Sequence, residues 1–291
     1  DLFINNLLPD RKLKYLAERP LDSPHVSDID LTYWVFEDKI KKYYAEFIQV
    51  LQKMTHDTQS ALRSTAVQHV YQLISSKPEQ ERTLLPVLVN KLGDIEKSVC
   101  SKAMHFLMKL TQENPGMRIY VCKEVELLMF RPHVPKRAQY YAIIFLNQTK
   151  YKATDKELAT KLMEIYFKLF ELILQDELND KDGKKENGKK KHTKFDQTKN
   201  KKKNFKKKAK KEASQLEEET MEGKIVDALL TGINRAFPYS DKNMQAYLKY
   251  TDTLYRLVHI SNFPKRVHCL QLLHQLSLAQ SGQLSDRYFR A

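Results

Sequence analysis

Glycine is scarce in this sequence, accounting for only seven of the 291 residues. So few glycines leave little room for glycine-rich nucleotide-binding loops, for the tight turns of a β-barrel or for a collagen repeat. The alternation of apolar and polar residues that marks β-strands is almost absent as well. Hydrophobic residues make up 42% of the chain, which is enough to bury a sizeable core. The composition therefore predicts an all-α protein.

Cysteine is also rare, and long apolar runs do not occur. The three cysteines, Cys100, Cys122 and Cys269, lie far apart and form no CxxC pair. The sequence therefore predicts neither a disulfide framework nor a metal site. The longest uninterrupted apolar run, residues 140–146, is too short to cross a bilayer, which takes about 20 residues. We expect an intracellular protein without a membrane contact.

Apolar residues recur at spacings of three and four along most of the chain, which is the period of helices that bury one face. In the first long helix the predicted apolar stripe comprises Leu31, Trp34, Val35, Tyr44, Phe47, Ile48 and Leu51. Farther along, residues 76–79 (SKPE) have the spacing of a capping box and predict the start of a helix that ends near Gly93.

Two of the predicted helices share a pattern that indicates a repeat. Asp57 is followed by apolar residues at +5, +9, +13 and +16, and Asp94, 37 residues later, is followed by apolar residues at the same offsets. An Asp in the turn before such a helix is typical of the second helix of a HEAT-type pair, whose period is about 40 residues. The sequence predicts an ARM/HEAT-like α-solenoid, in which each helix pair is stable only against its neighbours. An irregular helical bundle is the alternative.

The positive charge of the chain is concentrated in one segment. Residues 181–212 hold sixteen lysines against four acidic residues, so this segment carries +12 of the total formal charge of +14. Residues 179–214 lack periodicity and almost all aliphatic residues, which predicts a disordered Lys-rich insert. The insert separates N-terminal helical repeats over 1–178 from continuing repeats over 215–291. Because residues 285–287 (SDR) resemble a helix start, we expect a further C-terminal region beyond the end of this chain.

The Lys-rich insert is the predicted nucleic-acid-binding segment or nuclear address, with an inert solvated loop as the alternative. Lysine neutralises phosphates without reading bases, so such binding should be non-specific and salt-dependent. Phe195 and Phe205 have no helix to bury them and could stack on unpaired bases; stray aromatics in a linker are the competing interpretation. The predicted site residues are Lys189, Lys190, Lys191, Lys201, Lys202, Lys203, Lys206, Lys207, Lys208, Lys210, Lys211, Phe195 and Phe205.

Several short motifs stand out, namely residues 1–3 (DLF) leading to 7–13 (LLPDRKL), 90–94 (NKLGD), 138–142 (AQYYA), 285–288 (SDRY) and, most specific of all, 229–239 (LLTGINRAFPY). Together they resemble the CCAAT-binding factor family. The resemblance implies an assembly factor for the large ribosomal subunit in the nucleus and nucleolus, built on an ARM/HEAT-like scaffold. It implies a heteromer with a sister nucleolar complex protein and contact with precursor rRNA in a pre-ribosomal particle, without catalysis or cofactor. The family name implies an alternative function, that of a CCAAT-dependent transcription regulator that binds DNA.

Three residues of the 229–239 motif are candidate site residues of uncertain role, namely Arg235, Pro238 and Tyr239. Arg235 lies near the end of a predicted helix, where a cation complements the last carbonyl groups. Pro238 would end that helix and Tyr239 would pack beneath it. A contact of Arg235 with rRNA or with a partner chain is the functional alternative. Elsewhere no nucleophile motif, paired carboxylates or phosphate-binding loop stands out, so the sequence predicts neither an enzyme nor a small-molecule substrate.

Overall fold

A computed structural model describes residues 2–21, 26–151, 155–186, 221, 223–240, 250–260, 263–280 and 286–290. Within these ranges the protein is helical, and none of these residues lies in a β-strand. The prediction of an all-α fold is confirmed. The chain divides into two compact units, Asp1–Arg131 and Pro132–Ala291, at a boundary that the sequence did not predict.

The first unit is a stack of helix pairs. Its helices are α1 (Asp28–Met54), α2 (Ser60–Ser76), α3 (Glu81–Asn90), α4 (Lys97–Glu113) and α5 (Arg118–Met129). α1 packs on α2 and α3 on α4, while α2 also packs on α4 and α3 on α5. Helices α2, α3 and α4 thus each contact both the other member of their pair and the equivalent helix of a neighbouring pair. This is the ARM/HEAT-like arrangement that the repeated offsets predict.

The turns before α2 and α4 are built alike. The Asp57 carboxylate accepts a hydrogen bond from the Gln59 amide at 2.8 Å, and the Asp94 carboxylate accepts one from the Glu96 amide at 2.9 Å. Arg63 joins the two turns. Its guanidinium donates to both Asp94 oxygens at 3.0 Å and to the carbonyl of Asp57 at 2.9 Å. The repeated Asp therefore closes the turn before its helix and, in the second copy, also ties one helix pair to the next.

The apolar offsets that follow each Asp supply the core between the pairs. Buried at these positions are Ala66, Val70 and Leu73 of α2, and Val99, Ala103, Leu107 and Leu110 of α4. Fully burying a Val or Leu side chain contributes roughly 1.5–3 kcal/mol. Packing of these faces, more than helix propensity, therefore holds the stack together.

The N-terminal segment, residues 8–19, is tied to the first unit by carboxylates. Three of them accept hydrogen bonds from its backbone amides at 2.7 to 3.2 Å: Glu79 from Leu13, Glu37 from Lys14 and Asp38 from Leu16. Arg11 and Arg19 also pair with Glu37, at 2.6 and 2.5 Å. Because Glu79 bonds to this segment, it does not close the capping box predicted for residues 76–79, and α3 begins later, at Glu81.

The second unit contains a long helix with a wide buried face. Its helices are α6 (Lys136–Asn147), α7 (Lys156–Glu186), α8 (residues 223–236), α9 (Thr251–Ile260), α10 (Phe263–Gln280) and the short α11 (Asp286–Phe289). Buried side chains of α7 are Leu158, Ala159, Leu162, Met163, Ile165, Tyr166, Phe167, Leu169, Phe170 and Ile173. They cover most of the circumference, and among the side chains that the structure describes only one stripe, with Glu157, Glu164, Lys168 and Leu172, is exposed. Helix α7 extends to Glu186, past the predicted start of the insert at residue 179.

Candidate nucleic-acid interface

The lysines and phenylalanines predicted as site residues, from Lys189 to Lys211, lie outside the described residues. Their role in binding nucleic acid, and the disorder of the insert, stay predictions. The described part of the chain does contain the 229–239 motif, which forms the last turns of α8 and the short 3-10 turn Phe237–Tyr239. Pro238 lies within that turn, directly after the α-helix.

Gly232 of the motif allows α8 to approach its neighbours closely. A Cβ at this position would lie 2.4 Å from Asn147 Oδ1 and 2.7 Å from Tyr166 Cζ. These two side chains are held in place, because the Tyr166 hydroxyl donates to Asn147 Oδ1 at 2.8 Å. Asn147 Nδ2 in turn donates to the carbonyl of Ala228 at 2.7 Å. The glycine therefore marks the point where α8 meets the end of α6 and the middle of α7.

Arg235 is exposed and reaches toward the end of α6. Its guanidinium donates a hydrogen bond to the carbonyl of Thr149, two residues beyond the last residue of α6, at 3.4 Å. The sequence predicted that Arg235 complements the last carbonyl groups of its own helix, whereas this hydrogen bond goes to the turn that follows α6. A guanidinium has five N–H donors, so an exposed one at this place can also bind a phosphate.

A shallow groove of about 460 Å³ runs between α6 and α8 beside Arg235. Polar and cationic side chains that line it are Tyr140, Asn147, Gln148, Lys224, Thr231 and Arg235, and Asp227 adds one acidic group. Lys224 and Arg235 are about three turns apart on α8, so they place their charges along one face of the helix. Cations next to amide and hydroxyl groups are the donors that contact phosphate and sugar in nucleic-acid complexes.

Tyr239 is 40% exposed, so it is less buried than the sequence predicted. Its ring stacks on that of Tyr151, with 5.5 Å between the ring centroids and 20° between the planes. The pair joins the chain that follows α8 to the chain that follows α6. A partly exposed aromatic ring also offers a face on which an unpaired base can stack.

The cysteines lie in the core. Cys100, Cys122 and Cys269 are all buried, and none of the three forms a disulfide. Burial raises the pKa of the Cys122 thiol to about 12, so this thiol stays protonated at neutral pH. Over the described ranges no three His, Cys, Asp or Glu side chains are grouped so that they could hold a metal ion. No helix in those ranges is both long and apolar enough to span a membrane.

The chain is similar to the human protein CCAAT/enhancer-binding protein zeta, with 36% identity over 100% of the chain and 24% of that protein. These two chains are homologous. Ribosome biogenesis protein NOC1 of Chaetomium thermophilum is 37% identical over 89% of the chain and 24% of its own length. Nucleolar complex protein 1 of Drosophila melanogaster is 30% identical over 89% of the chain and 19% of its own length.

These relatives confirm the resemblance that the short motifs indicated, since the similarity covers most or all of the chain. No family model matches the sequence. The chain spans between 19% and 34% of the length of the curated relatives that it matches.

Proposed function

We propose that this chain is part of a non-catalytic assembly factor for the large ribosomal subunit, which acts as a helical scaffold in the nucleus and nucleolus. The observation that carries the proposal is the similarity, over 89% of the chain, to proteins named Ribosome biogenesis protein NOC1 and Nucleolar complex protein 1. The stacked pairs of the first unit support it, because such stacks present extended surfaces to large partners.

In this proposal the scaffold binds a sister nucleolar complex protein and precursor rRNA. The Lys-rich insert supplies a non-specific grip on RNA and a nuclear address. Lys224 and Arg235 supply a second, smaller contact on the folded surface, where they lie about 16 Å apart along α8 and so engage two phosphates that are not adjacent on the strand. Both contacts act on phosphates, so base pairing and shape of the rRNA, and the protein partner, set the specificity.

The test is to purify the tagged full-length protein at about 50 and about 200 mM salt and to sequence the nucleic acid that it holds. A variant that lacks residues 181–212 is purified beside it. We expect large-subunit precursor rRNA with both proteins, and a steeper loss with salt for the complete one. If about six lysines engage phosphates, affinity falls roughly a thousandfold over this range. Equal salt dependence of both proteins would exclude the insert as an RNA tether.

A CCAAT-dependent transcription regulator is the second candidate, which the name of the human relative favours. Such a regulator must present side chains to base edges, usually from a helix in the major groove. The same purification separates the candidates. Recovery of promoter DNA that contains CCAAT, without precursor rRNA, would contradict the ribosomal proposal and place this candidate first.

A further inference from the structure

The first helix of the protein has an apolar face that the fold leaves open. Along α1, large apolar residues recur at alternating spacings of four and three: Ile29, Tyr33, Phe36, Ile40, Tyr43, Phe47 and Val50. We call these seven residues the heptad face of α1. Ile40 is buried, whereas the other six are exposed, from 39% for Phe47 to 68% for Ile29 and Tyr33. Seven positions at this spacing make three heptads, which is the pattern of a helix that packs along another helix.

The heptad face is distinct from the face that α1 buries in its own unit. Tyr44, Ile48 and Leu51 are almost fully buried and form the contact with the rest of the unit. Phe3, which precedes the N-terminal segment, covers a small part of the heptad face, with its ring centroid 5.2 Å from that of Phe47. The core of the unit is therefore complete without the exposed side chains. Aromatic residues held so far out of the core are typical of a binding surface.

A groove of about 440 Å³ opens beside the N-terminal half of the heptad face. Tyr33, Phe36 and Ile40 form one wall, and Leu8 and Pro9 of the N-terminal segment lie on the other. The hydrogen bonds from its backbone amides to Glu37, Asp38 and Glu79 hold this segment in place. Both walls of the groove are therefore fixed before a partner binds. Arg11, Arg19 and Glu37 also line the groove, so it is apolar on the side of Tyr33, Phe36 and Ile40 and polar at its edge. A preformed groove of this size accepts one or two large side chains of a docking helix.

Charge on the open side of the heptad face indicates what kind of helix fits. Lys39, Lys42 and Lys53 are exposed along this side, together with the acidic Asp28 at the start of the helix and Glu46. Lys42 pairs with Asp38 at 2.7 Å, which leaves Lys39 and Lys53 as the unneutralised cations of this flank. The opposite side of the heptad face borders the core. A helix that lies along α1 from Tyr33 to Val50 thus meets positive charge at Lys39 and Lys53 on its one solvated flank.

We propose that the heptad face of α1 docks an amphipathic helix of a partner protein, which carries large apolar residues at heptad spacing and acidic residues on the flank toward Lys39 and Lys53. Its anchors enter the groove beside Tyr33 and Phe36 and then follow α1 to Val50. Helix-in-groove recognition of this kind depends on such regularly spaced anchors. The inference assigns a surface to the protein partner of the proposed scaffold, and it rests on that function only in requiring such a partner.

The test places the photoreactive residue p-benzoylphenylalanine at Tyr33 or Tyr43 of the full-length protein in cells. Tyr120 of α5 is the matched control, because it is a tyrosine on a helix of the same unit with the same exposure as Tyr43, 63%. Crosslinked peptides are identified by mass spectrometry. We expect both α1 positions to crosslink to one segment of another protein that has apolar heptads and net negative charge. Tyr120 should not crosslink to this segment.

A double substitution, Tyr33→Ser with Phe36→Ser, tests the same surface without a crosslinker. Removing two anchors should lower the amount of the crosslinked protein that copurifies by at least about tenfold. Because both side chains are exposed, the melting temperature should stay within a few degrees of the wild type, while Tyr120→Ser should change neither quantity. Unchanged copurification in a folded double variant would contradict the proposal.

Other crosslinking outcomes would also overturn it. These are crosslinks from α1 to RNA, to a second copy of the protein, to another segment of the same polypeptide, or no signal above the Tyr120 control. Failure of the proposed function looks different. Absence of precursor rRNA from the purified protein would refute the ribosomal role even if α1 binds an acidic helix. Precursor rRNA without a crosslink at α1 would refute the docking surface alone.

Discussion

The two units of the molecule join their helices by different means. In the first unit Arg63 of α2 donates hydrogen bonds to the Asp94 carboxylate in the turn before α4. A polar link thus joins one helix pair to the next. In the second unit Gly232 brings α8 against Tyr166 of the long helix α7 without any intervening side chain. The Asp turn that precedes α2 and α4 recurs along the sequence, whereas a close contact depends on one residue and its distant neighbours. The difference explains why the repeat is visible in one unit only.

The largest effect should come from breaking the polar link in the first unit. Asp94→Asn removes the negative charge that faces Arg63 and Lys91, and the Asp94 side chain is only 4% exposed. Two cations would then remain close together in a poorly hydrated place. Breaking a buried pair typically costs about 3–5 kcal/mol. Since Asn keeps the bond to the Glu96 amide, we expect a loss of about 3 kcal/mol in the free energy of unfolding, measured by urea denaturation.

Asp57→Asn is the matched control for this prediction. Asp57 caps its turn in the same way, through the Gln59 amide, but no guanidinium bonds to its carboxylate in the described contacts. Asn is as good as Asp at such a capping position, so the substitution should cost less than about 1 kcal/mol. Equal losses from the two substitutions would show that Arg63 contributes nothing beyond the cap.

The close contact in the second unit should be nearly as sensitive. Gly232→Ala places a methyl group 2.4 Å from Asn147 Oδ1, and that side chain is held by hydrogen bonds to Tyr166 and Ala228. Alanine normally stabilises a helix by about 1 kcal/mol relative to glycine. Overpacking costs about 1–3 kcal/mol or more, so we expect a net loss of about 2 kcal/mol. Thermal denaturation followed by circular dichroism measures it.

Gly116→Ala provides the control, because nothing lies within 4 Å of a Cβ at that position. This substitution should leave the melting temperature unchanged or raise it slightly, through the lower entropy of the unfolded chain. If Gly232→Ala were equally harmless, α8 would have room to move and the close contact would not hold the unit together.

Glu37, one of the three carboxylates that bind the N-terminal segment, should make the stability of the protein depend on pH. Burial alone would raise the pKa of Glu37, but the hydrogen bonds from Arg11 and the Lys14 amide and the charge of Arg19 outweigh it, so the pKa lies below its ordinary value. A lowered carboxyl pKa adds stability that is complete above the ordinary value. This stability is lost as the pH falls through the pKa of the folded state.

We therefore expect a melting temperature that is nearly constant from about pH 7 to pH 5 and that falls below about pH 4. Glu37→Gln should cost about 1 kcal/mol at neutral pH. The variant should also lose less stability between pH 5 and pH 3 than the wild type. The pKa of Asp94 is lowered as well, because Arg63, the Glu96 amide and Lys91 outweigh its burial. Identical acid profiles of wild type and Glu37→Gln would contradict the assignment to Glu37.

The smallest effect on stability is expected at the cationic face of α8. Lys224→Glu and Arg235→Glu change exposed side chains, so folding should be unaffected. Each should weaken binding of a precursor rRNA fragment and reduce the slope of log affinity against log salt by about one. Fluorescence anisotropy with the insert deleted isolates this face. Lys97→Glu, on an exposed position of α4, is the control, and equal weakening by Lys97→Glu would refute a specific role for α8.

The sequence predicted those parts of the fold that follow from local chemistry. Both Asp turns were predictable, since each copy needs a carboxylate to cap the following helix and an apolar face to bury. The Arg63 link was not, because the second copy has Cys100 at the equivalent position and no pattern of arginines exists. The contact at Gly232 depends on Asn147 and Tyr166, which are far away in the sequence. Spacing alone cannot reveal such a contact.

Helix α1 shows that apolar spacing is also a limited guide to which residues form an exposed binding surface. The predicted stripe on α1 included both Tyr44, which is buried, and Phe47, which is 39% exposed. It missed Tyr33 and Tyr43, because an apolar pattern shows which residues share a face but not which face meets the core. Likewise, the basic insert was evident from the composition. That Lys224 and Arg235 line the same groove could be recognised only from the positions of α6 and α8.

The scaffold account is tested most directly by depleting the full-length protein and following precursor rRNA. The account predicts that large-subunit precursors accumulate while small-subunit precursors are processed normally. It also predicts that the complete protein restores processing, whereas a version without the region of this chain does not. Normal large-subunit processing after depletion, with altered transcription from promoters that contain CCAAT, would contradict it.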